Sequence, residues 1–296
     1  MRYLSDVLKE KYGEKVYRLT LSSGCTCPNR DGTLARGGCA FCSEGGSGEF
    51  AAALRPIDEQ IDEAKALIAK KTGAKKFIAY FQAYSNTYGD VGRLEKLYLE
   101  ATARREIVAL SLGTRPDCLS DDVIGMLKRL SKIKPVWVEM GLQTANEATA
   151  QRMNRCFSNE CYAEAVQKLH SIGCDVVSHL IFGFPDETRE DMLRSVRYIA
   201  ALRPEGVKLQ MLNILTGTRL AEEYAAHPWR LLTREEYADI IAEAIKLLPD
   251  ETVIHRLTGD GKRDMIIAPE WVKDKKRTLN AIHRALNEDS SSPARA

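Results

Sequence analysis

Between Val16 and Leu212 the sequence alternates between two hydrophobic rhythms. Apolar, β-rich runs occur at Val16 to Leu21, Phe77 to Phe81, Ile107 to Leu112, Val136 to Met140, Val176 to Phe182 and Gly206 to Leu212. Between them, at Ile57 to Lys71, Val91 to Arg104, Asp121 to Ser131, Cys161 to Ser171 and Glu190 to Leu202, apolar residues recur at helical spacing. Ser120 and Ser158 supply N-cap signals. Six strands alternating with five helices predict an α/β protein of successive βα units around a parallel sheet. After Leu215 the rhythm changes. A helix is expected at Arg234 to Leu247, a strand at Thr252 to Leu257 and a last helix at Arg277 to Leu286. The division expected is 1–215 and 216–296, with a frayed tail from about residue 288.

Unusual polar residues fall at the C-terminal ends of these strands. Gln82 and Asn86 follow the second, Arg115 and Asp117 the third, and Glu139 and Gln143 lie in and beyond the fourth; His179 sits in the fifth, Lys208 and Gln210 in the sixth. In parallel barrels those ends converge on one mouth, where active sites are built. Singly each has an ordinary explanation: a strand cap, a surface ion pair, a core histidine. Together they predict a polar ligand or a mutually satisfied network.

The first strand is followed by "CTCPNRDGTLARGGCAFC", residues 25–42, with four cysteines. A net charge of +2 announces no global affinity for nucleic acid, and no apolar run is long enough to span a membrane. A cytoplasmic protein is expected. There, eight cysteines argue for metal ligation, catalysis or packing and against disulfides. Cys27, Cys39 and Cys42 can hold three irons of a four-iron cluster and leave the fourth open. Zinc remains an alternative, with Cys25 as the fourth ligand. In that case the chain would be a non-catalytic zinc and RNA-binding module. Cys118, Cys156, Cys161 and Cys174 are scattered, which argues against a second cluster of the methylthiotransferase kind.

Six ordered stretches, "CPNRDGTLARGGCAFC", "YFQAYSNT", "GTRPDCL", "VEMGLQT", "HLIFGFP" and "HRLTGDG", resemble the radical S-adenosylmethionine superfamily. Within it they resemble the YhcC/YtqA group, kin to the elongator catalytic subunit. The resemblance implies a partial six-stranded (β/α) barrel with a C-terminal α+β extension over its mouth. It implies a [4Fe-4S] cluster on Cys27, Cys39 and Cys42, and leaves Cys25 as a non-ligand. S-adenosylmethionine would chelate the open iron and be split to a 5′-deoxyadenosyl radical. Cofactor contacts then fall to Phe41 beside the adenine, Gln82 at the amino group, Arg155 at the carboxylate, and Asn86, Arg115, Glu139, Gln143 and His179. Where kin carry a carboxylate before "TRPD", this chain has Gly113, so ribose recognition differs in detail.

The group also resembles enzymes of transfer RNA wobble-uridine maturation, which implies conversion of a 5-carboxymethylaminomethyl side chain to 5-aminomethyl ahead of a separate methylase. The implied catalytic residues are Lys208, His255, Arg256 and Asp260. Implied partners are the anticodon region of tRNA and a reductant such as flavodoxin or ferredoxin. Basic clusters at 70–76 and 273–277 are candidates for phosphate contact, against the alternative of solvated helix ends. Relatives carry histidines in the segment written "KLQMLNIL" here, where Gln210 and Asn213 stand, so no acid–base role is assigned to it.

Overall fold

The computed structural model describes residues 1–46, 48, 50–69, 72–259 and 261–291. In chain order the elements are β1 (Arg2–Tyr3), α1 (Leu4–Tyr12), β2 (Val16–Leu21), α2 (Ile57–Ala69), β3 (Lys76–Phe81), α3 (Val91–Ala103), β4 (Ile107–Thr114), α4 (Asp121–Ser131), β5 (Val136–Gln143), α5 (Glu147–Arg152) and α6 (Asn159–Ser171). They continue with β6 (Asp175–Phe182), α7 (Arg189–Ala201), β7 (Gly206–Met211), β8 (Ile214–Leu215), α8 (Arg219–Ala226), α9 (Arg234–Leu247), β9 (Val253–Arg256), β10 (Ile266–Ala268) and α10 (Lys275–Ser291). All six expected strands and all five expected helices form. Ser120 and Ser158 cap α4 and α6, accepting from the N–H groups of Val123 and Cys161.

The principal sheet runs β1-β9-β7-β6-β5-β4-β3-β2, parallel throughout, and curls into a half-barrel. It therefore has eight strands rather than six. The additional two are β9, from the C-terminal segment, and β1, from the N-terminus. Because β9 hydrogen-bonds along β7, chain beyond residue 215 is part of the barrel wall as well as of its rim. The last helix runs to Ser291, past the expected end at Leu286, and 292–296 lie outside the described residues.

Strand periodicity splits the interior in two. Phe77, Ala79 and Phe81 of β3, Leu110 and Leu112 of β4, Val138 and Met140 of β5, and Leu209 of β7 face the surrounding helices and join Leu94, Tyr98, Met126, Leu127 and Tyr162 in one core. The opposite phase faces the barrel axis. At the N-terminal end it is apolar: Ile78, Ala109, Trp137 and Val177 pack on Leu8 of α1, which plugs the barrel from below. One residue pair further along every strand the same phase turns polar, and the site begins there.

Candidate active site

The cysteine loop leaves the end of β2 and is curled by local backbone bonds. The Cys27 carbonyl accepts from the N–H groups of Arg30 (2.8 Å) and Asp31 (3.1 Å), and the Cys42 N–H donates to the Cys39 carbonyl (3.0 Å). Its flank is fixed to the segment after α5, where the Ala40 N–H donates to the Met153 carbonyl (3.0 Å) and Asn154 Nδ2 to the Gly38 carbonyl (2.8 Å). Gly38 is required for two reasons: its φ is +83°, and a Cβ there would stand 3.2 Å from the Arg30 guanidinium. Cys27, Cys39 and Cys42 thereby line one cavity together with Phe41, Gln82, Arg115, Glu139, Gln143 and His179. Burial and the neighbouring Cys42 push the Cys39 thiol up to about 12, against the opposing pull of Arg115.

The inward positions below that cavity form a buried network around Glu139. Its carboxylate accepts from Ser111 Oγ (2.8 Å) and His179 Nε2 (3.1 Å), pairs with Arg18 (3.3 Å) and contacts the Lys208 ammonium. Lys208 Nζ also donates to Tyr80 Oη (3.0 Å), and Arg18 stacks over the Tyr80 ring at 4.9 Å. Burial opposes ionisation of Glu139, but Lys208, Arg18 and the His179 hydrogen bond outweigh it and hold the carboxyl well below the usual range. Burial and the charge of Lys208 bring His179 down to about 4, so the imidazole is neutral at physiological pH.

A second cavity continues from the first and shares Phe41, Gln82, Gln143 and His179 as a common wall. Beyond that wall it is lined by Lys208, Gln210, Asn213, Arg256, Gly259 and Gly261. Among its described lining residues there are two basic side chains, Lys208 and Arg256, and no carboxylate; burial lowers the pKa of both, most strongly that of Lys208, where Glu139 pulls the other way.

The expected residues separate into three groups. Phe41, Gln82, Arg115, Glu139, Gln143, His179, Lys208 and Arg256 come together on these two cavities. Within this group Arg115 already holds Asp117 through two bonds of 2.9 and 2.7 Å. Asn86 and Arg155 are placed elsewhere. Asn86 is buried and its Nδ2 donates to the carbonyls of Phe81, Ala83 and Gly113. Arg155 is 1% exposed and donates to the carbonyls of Leu142, Thr144 and Phe157 and to Glu147, pinning the turn after β5. A guanidinium so engaged borders neither cavity, which departs from the carboxylate-binding role expected of it. His255 also departs from expectation: a bulge between β7 and β9 turns it to the opposite end of the barrel, where its Nδ1 accepts from Arg18 Nη2 (3.0 Å), its ring meets Trp137 edge-to-face and it lines a separate cavity with Leu8 and Ile78. Asp260 lies outside the described residues. Of the basic clusters, Lys76, Lys273 and Arg277 are engaged with Glu14, Glu270 and Asp274, while Lys70 and Lys71 lie outside the described residues.

Sequence reasoning missed Arg18, Tyr80 and Ser111. The signal was present, because each is the polar residue on the same inward phase of its strand as Glu139, His179 and Lys208.

The residues present fit a thiolate-bound iron–sulfur group with an additional small-molecule ligand. Among the described residues no three His, Cys, Asp or Glu side chains are placed to share one metal ion. Cys25 is buried in the main core with its Sγ 3.7 Å from Arg93, and is not part of the cavity. Beside the thiols Gln143 Oε1 is buried with no partner. Gln143 takes a φ of +65° at a bulge, and a Cβ at Gly141 would stand 1.9 Å from its Nε2.

Residues 24–199 match the family model described as the radical SAM superfamily, and residues 204–288 the radical SAM C-terminal domain. The chain is 39% identical over 285 residues to the uncharacterized protein YtqA of Bacillus subtilis, covering 96% of this chain and 88% of that protein. It is 26% identical over 182 residues to the tRNA uridine(34) acetyltransferase of Methanocaldococcus jannaschii, covering 60% of this chain and 33% of that protein. The archaeal Elp3 of Methanocaldococcus infernus has the same fold, with a TM-score of 0.72 and 18% identity over 94% of this chain and 64% of that one. No described helix is long and apolar enough to cross a membrane. Matched over most of its length by family model and relative alike, the chain belongs to the radical S-adenosylmethionine superfamily, whose members work with a [4Fe-4S] cluster and S-adenosylmethionine.

Proposed function

We propose that Cys27, Cys39 and Cys42 hold the cluster and that the enzyme converts the 5-carboxymethylaminomethyl side chain of wobble uridine in tRNA to 5-aminomethyl. The observation that carries this reading is the pair of basic side chains beyond the cofactor wall: Lys208 and Arg256 line that cavity and no described carboxylate does. A substrate entering there is asked for an anionic end, and Arg256 offers a planar fork suited to a carboxylate. The tRNA uridine(34) acetyltransferase among the relatives supplies the substrate class.

When bound, the cluster and S-adenosylmethionine supply hydrogen-atom abstraction and take back the second electron. The carbon between the amine nitrogen and the carboxylate is the site favoured for it, since both neighbours stabilise a radical. Two-electron oxidation there gives an imine, and water then releases glyoxylate and leaves the 5-aminomethyl base. In this scheme Lys208 and Arg256 hold the carboxylate, and Phe41, Gln82 and Gln143 keep the cofactor on the shared wall. Distance control of this kind matters because displacement by about 1 Å can cost about a hundredfold in rate. Neutral His179 faces both cavities and can hydrogen-bond the substrate amine, while the proton released on imine formation passes to water. Nucleosides of tRNA from cells with and without the gene test the reading. Loss of the gene is expected to raise 5-carboxymethylaminomethyl nucleosides and deplete the 5-aminomethyl form and its methylated successor; an unchanged profile contradicts it.

A further inference from the structure

Asn213 is the least explained polar group on the second cavity. Its Oδ1 is buried and has no hydrogen-bond partner. Its Nδ2 lies where a Cβ at Gly259 or Gly261 would stand only 2.8 or 2.9 Å away, so both glycines of the loop after β9 leave the space this one carboxamide fills. Burying an unpaired carbonyl oxygen costs about 1–3 kcal/mol. The chain accepts that cost at a position facing a cavity, beside a second carboxamide, Gln210.

We propose that Asn213 and Gln210 form a subsite that reads the imide edge of a uracil-type base, with Asn213 Oδ1 accepting the ring N3–H. The subsite rests on the uridine reading above and specifies how the base is chosen. A uracil edge offers one N–H donor between two carbonyl acceptors, and a pair of carboxamides can meet all three. Cytosine has a lone pair at N3 and leaves Oδ1 unpaired. Lys208 and Gln210 share the inward phase of β7 and line the same cavity as Asn213 and Arg256, so a base read by the carboxamides would have its substituents within the cavity that the basic side chains line, next to the wall shared with the cofactor cavity.

The test is equilibrium binding of the cluster-loaded enzyme with S-adenosylmethionine to two anticodon stem-loop RNAs that differ only in uridine or cytidine at the wobble position. The wild type is expected to prefer uridine by about tenfold, within the range of one well-formed base contact. Asn213→Ala should abolish that preference by weakening the uridine RNA alone. Gly259→Ala, which displaces the carboxamide without removing it, should do the same. Equal binding of both RNAs by the wild type, or an equal loss for both in the variants, overturns the subsite. The tRNA reaction can fail separately: a uridine preference that depends on Asn213, with unchanged nucleosides in the deletion strain, keeps the subsite and removes that reaction.

Discussion

Cys25 and Cys27 are two residues apart and have opposite environments. Cys25 packs in the helix–sheet core, whereas Cys27 faces the cavity with Cys39 and Cys42. Cys39→Ala is therefore expected to abolish the cluster, measured as iron content and visible absorption after anaerobic reconstitution, while Cys25→Ala retains it; the reverse result contradicts the assignment. A second consequence concerns pH. His179 titrates near 4 in the folded chain and near 6.5 when unfolded, so between those values the unfolded state binds more protons. The stability it contributes is complete above about pH 6.5 and is lost as pH falls toward 4, at up to about 1.4 kcal/mol per unit. Urea unfolding of His179→Gln should show a shallower acid slope than the wild type, and identical slopes would place the sensitivity elsewhere. At this scale the sequence was least informative. Arg155 and Asn86 look like ligand-binding groups by position, yet their donors are spent on backbone carbonyls that only the folded loop brings near. A polar residue beside a mouth is needed for either purpose, and sequence alone does not separate them.

The strand ends aim side chains, and small deviations in them matter. At β5 the pairing with β6 shifts between Gly141 and Gln143, which turns Gln143 into both cavities. Gly141→Ala should force the Gln143 amide away from the wall, since 1.9 Å allows no Cβ. Affinity for S-adenosylmethionine is expected to fall about tenfold, near 1.4 kcal/mol, with iron content unchanged; unchanged affinity in an anaerobic titration would remove Gln143 from cofactor binding. The elements themselves were legible where burial on two faces makes a strand continuously apolar, as in "KFIAYF" and "DVVSHLIF". They were illegible where tertiary contact decides. Helix α1, "LSDVLKEKY", buries only Leu8 and has little apolar face to read, yet it closes the barrel floor. The two-residue β1 exists because β9 offers an edge, and β9 joins the sheet through a pairing no local pattern encodes.

For the molecule as a whole, net charge hides the asymmetry that matters. A total of +2 gives no long-range pull on RNA, while the described lining of one cavity holds Lys208 and Arg256 without a carboxylate. Under the proposed reading, recognition is concentrated inside the half-barrel, between the cofactor wall and the loop after β9, and would suit a short anionic side chain presented by a base at the rim. The most direct measurement uses tRNA whose wobble side chain is deuterated only at the carbon next to the carboxylate, incubated anaerobically with the reduced, cluster-loaded enzyme and S-adenosylmethionine. Deuterium is expected in the recovered 5′-deoxyadenosine, with one 5-aminomethyl uridine formed for each. Turnover without deuterium transfer contradicts the placement of that carbon beside the cofactor wall, and no turnover on this tRNA contradicts the substrate itself.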